Sequence, residues 1–82
     1  MPAMRTADLV RLSTARRLAS NGEGRRLREA AGLTRAEVAA TCGVTAVTIW
    51  RWENGHRSPH GVPALKYEHL LSALASTIRQ PA

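Results

Sequence analysis

The sequence predicts an all-α domain, a compact bundle of about five helices, on three observations. Apolar residues recur at spacings of three and four, with no strand-like alternation and no internal repeat. Aromatics are only 4% of the chain and phenylalanine is absent, so the core must be Leu, Val, Ile and Ala with Trp52 as its largest piece. Capping residues and glycines punctuate the apolar stripes at helix-length intervals. Eighty-two residues make one domain with a modest core, in the size range where small domains fold alone but marginally.

Met1 to Arg5 reads as a tail. Thr6 can cap a helix over 7–20, with Asp8 near its positive end and Leu9, Leu12, Ala15 and Ala19 as its buried stripe. Arg11, Arg16 and Arg17 then face elsewhere. This helix can buttress the domain, extend a dimer interface or touch phosphate. Asn21-Gly22 breaks it, and a second helix spans 23–31 before Gly32. Thr34-Arg35-Ala36-Glu37 is a capping box that opens a third helix over 35–42.

Val38 and Cys42, four apart, share one face of that helix, and Ala39 is small enough for another helix to cross closely. Gly43 sits where the backbone must turn with positive φ, and Val44 can plug the corner. Thr45 can cap a fourth helix over 46–54, with Ile49 and Trp52 facing inward and Gly55 ending it. Residues 56–63, with two prolines and a glycine, read as loop. A fifth helix is expected over 63–77, with Tyr67, Leu70, Leu71, Leu74 and Ile78 as its stripe, and 79–82 as a tail.

Two short helices joined by a glycine turn are a known route to a major-groove reader. The residues Arg28, Leu33, Thr34, Ala39, Gly43, Val44, Thr45, Ile49, Trp52, Glu53 and Gly55 stand in the register of a specific pattern. From about Arg25 to Leu74 the chain resembles the Cro and phage-repressor type of helix-turn-helix, also called the xenobiotic-response-element family. The resemblance implies a lambda-repressor-like core at 21–78, with the helix over 6–20 as an addition. It also implies that Thr45, Ala46, Val47, Trp50 and Arg51 meet base edges and that Asn54 meets phosphate. Arg28 and Glu53 would form a structural ion pair between the early helix and the end of the recognition helix.

The residue types sharpen these expectations. Arg51 can pair bidentately with guanine O6 and N7, whereas Ala46 and Val47 offer only apolar contact to a thymine methyl. Trp50 and Arg35 depart from the pattern, which usually has a small polar residue and a glutamine there. Trp50, left on an open face, needs something to cover: sugar-phosphate, a thymine, the N-terminal helix or another protein. Arg35 lies at a helix N-terminus, where backbone N–H groups favour an anion, and is expected to bind phosphate. Arg57, in the loop after the recognition helix, is expected to reach the backbone or minor groove, assisted by His56 and His60.

Charge agrees with a polyanionic partner. The net charge is +6, the pI about 11.4, and eleven of the twelve basic side chains are Arg, whose planar fork suits phosphate and guanine. One cysteine, Cys42, excludes an internal disulfide and fits a small buried hydrophobe in a reducing compartment. No apolar run approaches the ~18 residues of a spanning helix, and no secretory core is evident. No catalytic constellation or metal-ligand spacing emerges, so neither an enzyme, a cofactor nor a small-molecule ligand is expected.

The reading is a cytoplasmic transcriptional regulator, a Cro-like repressor of phage or prokaryotic origin, acting as a homodimer on a double-stranded DNA operator. An antitoxin that covers a protein partner and an architectural recombination factor are the alternatives.

Overall fold

The computed structural model describes residues 4–79 of the chain as five helices without a strand: α1 (Thr6–Ser20), α2 (Glu23–Ala30), α3 (Arg35–Cys42), α4 (Ala46–Glu53) and α5 (Gly61–Arg79). Residues 1–3 and 80–82 of the expected tails lie outside the described residues. Met4 and Arg5 precede α1, and Arg79 belongs to α5 instead of a tail.

The helices differ from the sequence expectation mostly at their ends. Arg5, not Thr6, is the N-cap of α1, and no side chain caps it; Thr6 lies inside the helix. Asn54 is the C-cap of α4 and Ala31 that of α2. Helix α5 begins two residues before Pro63. Proline fits there because the first turn of a helix has no intrahelical acceptor for its N–H.

The core gathers Leu12, Ala15 and Ala19 of α1, Leu27 of α2, Val38, Ala39 and Cys42 of α3, Ile49 and Trp52 of α4, and Ala64, Tyr67 and Leu71 of α5. The rings of Trp52 and Tyr67 meet edge to face at 5.1 Å, so the inward-facing tryptophan of α4 is locked onto α5. Cys42 is 1% exposed, and burial pushes its thiol up to about 11, with the charge of Lys66 opposing. It packs as a small hydrophobe.

Two residues assigned to buried stripes are outside. Leu9 is 53% exposed and Ile78 47%. Ile78 lies in the last turn of α5, and Leu9 lies off the line that Leu12, Ala15 and Ala19 set on α1. Asp8, not Leu9, lies one turn before Leu12 on the half-buried side of α1.

Helix α1 is tied down by two of the arginines expected to point away. Arg11 Nε donates to Glu68 Oε1 at 2.8 Å, and Arg16 Nε donates to the carbonyl of Pro59 at 3.0 Å. These links run α1 antiparallel to α5 and fasten it to the loop between α4 and α5. Helix α1 thus packs on α5 and bonds to the loop that carries His56 and Arg57.

Candidate nucleic-acid interface

The corner between α3 and α4 is built by local chemistry. Thr34 Oγ1 accepts the Glu37 amide at 3.1 Å while the Glu37 carboxylate accepts the Thr34 amide at 2.9 Å and its hydroxyl at 3.0 Å. These bonds from the Thr34 backbone and side chain hold the Glu37 carboxyl below its usual range. At the other end of α3, Gly43 has φ +76, and the Val44 amide then reaches the Ala39 carbonyl at 3.0 Å. A side chain at position 43 would be strained even though there is room for one. Val44 packs half-buried against the core, and Thr45 Oγ1 accepts the Thr48 amide to start α4.

A carboxylate fixes the far end of α4. Glu53 has a fully buried side chain, and both its oxygens are bonded. Arg28 donates from Nε to Oε2 at 2.6 Å and from Nη2 to Oε1 at 3.1 Å, and its Nη1 reaches the Leu33 carbonyl at 2.9 Å. The Glu53 bonds raise the Arg28 pKa against the burial that opposes it. Arg28 thus ties α2 and the 32–34 turn to the end of α4.

Arg35 completes a triad not expected from the sequence. Its Nε donates to Glu53 Oε1 at 2.9 Å, leaving the side chain one-third exposed. The expectation of a residue given over to phosphate is corrected to this extent: Nε is bound to a carboxylate, and its two terminal nitrogens make no bond within the protein among the described residues. Two guanidinium groups therefore share the one Glu53 carboxylate.

The outer face of α4 carries Val47, Trp50, Arg51 and Asn54, all exposed, with Ala46 half-buried at its edge. Val47 is 55% and Trp50 42% exposed, large apolar groups facing outward on a helix whose inner residues Ile49 and Trp52 are buried. Thr45 is also exposed, but its hydroxyl is engaged by the Thr48 amide and hydroxyl. Asn54 Nδ2 donates to the Trp50 carbonyl at 2.8 Å, which caps the helix and directs its amide nitrogen inward. The Arg51 guanidinium makes no hydrogen bond or ion pair among the described residues.

Trp50 stacks on His56, with ring centroids 5.0 Å apart and a 31° tilt, and the His56 amide donates to the Arg51 carbonyl at 2.9 Å. A cleft of about 200 Å³ beside α4 brings Arg51, Arg57 and His60 together with Thr48, Val44, Trp52 and Pro63. Of the residues expected at DNA, the cleft thus brings together Arg51, Arg57 and His60, and the ring contact joins Trp50 to His56, whereas Arg28 and the Glu53 side chain are buried. Sequence reasoning missed Arg16, whose bond to Pro59 positions this loop; its spacing from Leu12 and Ala19 gave no sign of a partner 43 residues away.

A larger groove of about 620 Å³, lined by Arg11, Thr41, Leu65, Lys66, His69, Leu70 and Ala73, shares no residue with this surface. Among the described residues, no group of three or more His, Cys, Asp or Glu is placed to hold a metal ion. No helix there is long and apolar enough to cross a membrane.

A capped helix, a positive-φ glycine corner and a second helix with an open outer face define a helix-turn-helix protein. The family model for the helix-turn-helix domain matches residues 25–77, and the chain belongs to that family. It is a helix-turn-helix protein of the Cro and xenobiotic-response type, a class of DNA-binding regulators. No curated protein and no solved structure gave a match. Helix α1 precedes the matched segment.

Proposed function

We propose that this protein is a sequence-specific transcriptional regulator that binds a short double-stranded operator through α4 in the major groove. The observation that carries the reading is the outer face of α4: Arg51 unpaired beside the exposed Val47 and Trp50, at the end of a helix fixed by the buried Glu53. Arg51 reads a base edge directly. Thr45, Ala46, Val47 and Trp50 lie along the same groove, and the backbone is held by Arg57, His56, the second amide N–H of Asn54 and the free end of Arg35. The protein works as a binding module, not an enzyme. Its action is obstruction of polymerase at that operator, in the manner of a Cro-like repressor.

Binding as a homodimer places two recognition helices in successive major grooves about 34 Å apart. Selection of bound sequences from a random duplex pool tests both specificity and symmetry. A palindromic consensus with half-sites one turn apart is expected. Recovery of no consensus would sink the regulator reading, and a continuous footprint with bending would favour the architectural role. Binding is also expected to fall steeply with salt, as release of counterions from phosphate requires.

A further inference from the structure

We propose that this protein reads pyrimidine 5-methyl groups: its half-site is a guanine with at least one C5-methylated pyrimidine one to two base pairs away. Arg51 takes the guanine, and Val47 and Trp50 take the methyl groups. The inference rests on the DNA-binding reading above and adds the chemistry of the bases recognised.

The first support is the shortage of hydrogen-bonding capacity on α4. Thr45 and Thr48 hydroxyls bond to each other, and the Thr45 oxygen also takes the Thr48 amide. The Asn54 amide nitrogen is directed onto the Trp50 carbonyl. Ala46 and Val47 have no polar side-chain atom. Among the described residues of this face, Arg51 alone has an unengaged pair of side-chain donors, since Trp50 Nε1 and the second Asn54 amide N–H are single donors, and guanine O6 and N7 are the acceptor pair it matches.

The second support is what Val47 and Trp50 require. Both are large, apolar and exposed in the free protein. In the major groove the one apolar feature of a base edge is a methyl at pyrimidine C5. Any other edge placed there, such as the cytosine amino group or adenine N7, would lose its water without gaining a partner. Trp50 is also held before binding, by the stack on His56, whose amide is anchored to the end of α4. A pre-positioned ring loses little rotamer freedom on binding.

Register fixes the distance between the two kinds of contact. Val47 and Arg51 are four residues apart on one row, roughly 6 Å along the axis at ~1.5 Å per residue. Base pairs in the duplex rise by ~3.4 Å, so the methyl lies one to two steps from the guanine. Thymine supplies this group in any DNA, and 5-methylcytosine supplies it in modified DNA.

The test starts from the consensus obtained by random-pool selection. Duplexes are remade with uracil at each thymine in turn and, separately, with 5-methylcytosine at each cytosine. Removing the methyl one to two base pairs from the guanine is expected to weaken binding about fourfold, the effect of losing one buried methyl-sized group, and uracil elsewhere is expected to change nothing. Val47→Ala and Trp50→Ala, both at exposed positions and checked for native helix content, should shrink that ratio toward one while the guanine requirement persists. A loss confined to uracil assigns thymine as the source, and a gain confined to methylated cytosine assigns 5-methylcytosine. Equal binding in both series, with a consensus in hand, overturns the methyl inference and leaves the regulator reading standing. Failure to obtain a consensus overturns both.

Discussion

Two buried carboxylates hold this molecule together, and they are built differently. Glu53, inside the segment matched by the helix-turn-helix family, is fully enclosed and takes three bonds from two arginines. Glu68, on α5, is 11% exposed and pairs with Arg11 of α1, whose side chain is 42% exposed, and with the Ser72 hydroxyl. The first clamps the recognition helix to α2 and α3. The second fastens α1, which precedes the matched segment, to α5. The contrast implies that the reading surface fails with Glu53, whereas Glu68 adjusts only how firmly its scaffold is braced.

The largest expected effect follows from this. Glu53→Ala leaves the Arg28 guanidinium buried with only the Leu33 carbonyl as partner. It should destabilise the fold by roughly 3–5 kcal/mol, read as a fall in the urea midpoint. DNA binding should fall with it through loss of folded protein. A loss below about 1 kcal/mol would remove the distinction between the two clamps.

The seam between α2 and α5 gives the next effect. A Cβ on Gly24 would stand 2.4 Å from Tyr67 Oη and 3.2 Å from both the Leu18 carbonyl and Leu71 Cδ1. Gly24→Ala is expected to cost about 1–3 kcal/mol, as overpacking does. The Tyr67 hydroxyl is buried without a hydrogen-bond partner among the described residues, so Tyr67→Phe should be close to neutral alone. In the double variant it should recover much of the Gly24→Ala loss. A double-mutant cycle with no coupling would show that the clash is relieved elsewhere.

These two regions also show what could be read from the chain. The α3–turn–α4 corner was legible because its signals are local: a capping box within four residues, glycine at the bend, and Ile49 and Trp52 one turn apart. The fifth helix was found but begun late, because Pro63 and Gly61 look like loop when their place in a first turn is not known. The Gly24–Tyr67 contact and the Arg35–Glu53 bond join residues far apart in sequence, and no local pattern announces them. A glycine inside a helical pattern was the one hint, since such a residue often marks a close approach. Leu9 lies outside because the buried line of α1 runs through Asp8, a position that an apolar pattern passes over in favour of the neighbouring leucine.

Glu68→Gln is expected to cost roughly 1 kcal/mol, since the exposure of Arg11 screens the pair. Burial raises the Glu68 carboxyl, but the hydrogen bonds from Ser72 and Arg11, with the charges of Arg11 and His69, outweigh it and leave it below its ordinary value. A lowered folded-state pKa contributes stability that is present above the unfolded carboxylate range and is lost as pH falls through the folded value. The wild type should therefore lose this contribution on acidification, and Glu68→Gln should flatten that part of the stability–pH curve. An unchanged curve would mean that Arg11 and Ser72 do not favour the ionised form.

The smallest expected effect sharpens the comparison most, because Arg35 belongs to the Glu53 clamp yet reaches the proposed DNA side. Its Nε is bonded to Glu53 while its terminal nitrogens are free among the described residues. Arg28 alone still gives Glu53 two charge-assisted bonds, so Arg35→Gln should cost only about 0.5–1 kcal/mol of stability. If the free end of Arg35 meets a phosphate, the same variant should lower the slope of log affinity against log salt by about one, with equal weakening on every sequence. Stability lost with an unchanged slope would make Arg35 purely a member of the clamp. A changed slope with little loss of stability would make the triad a device that keeps one arginine at the groove by holding its stem.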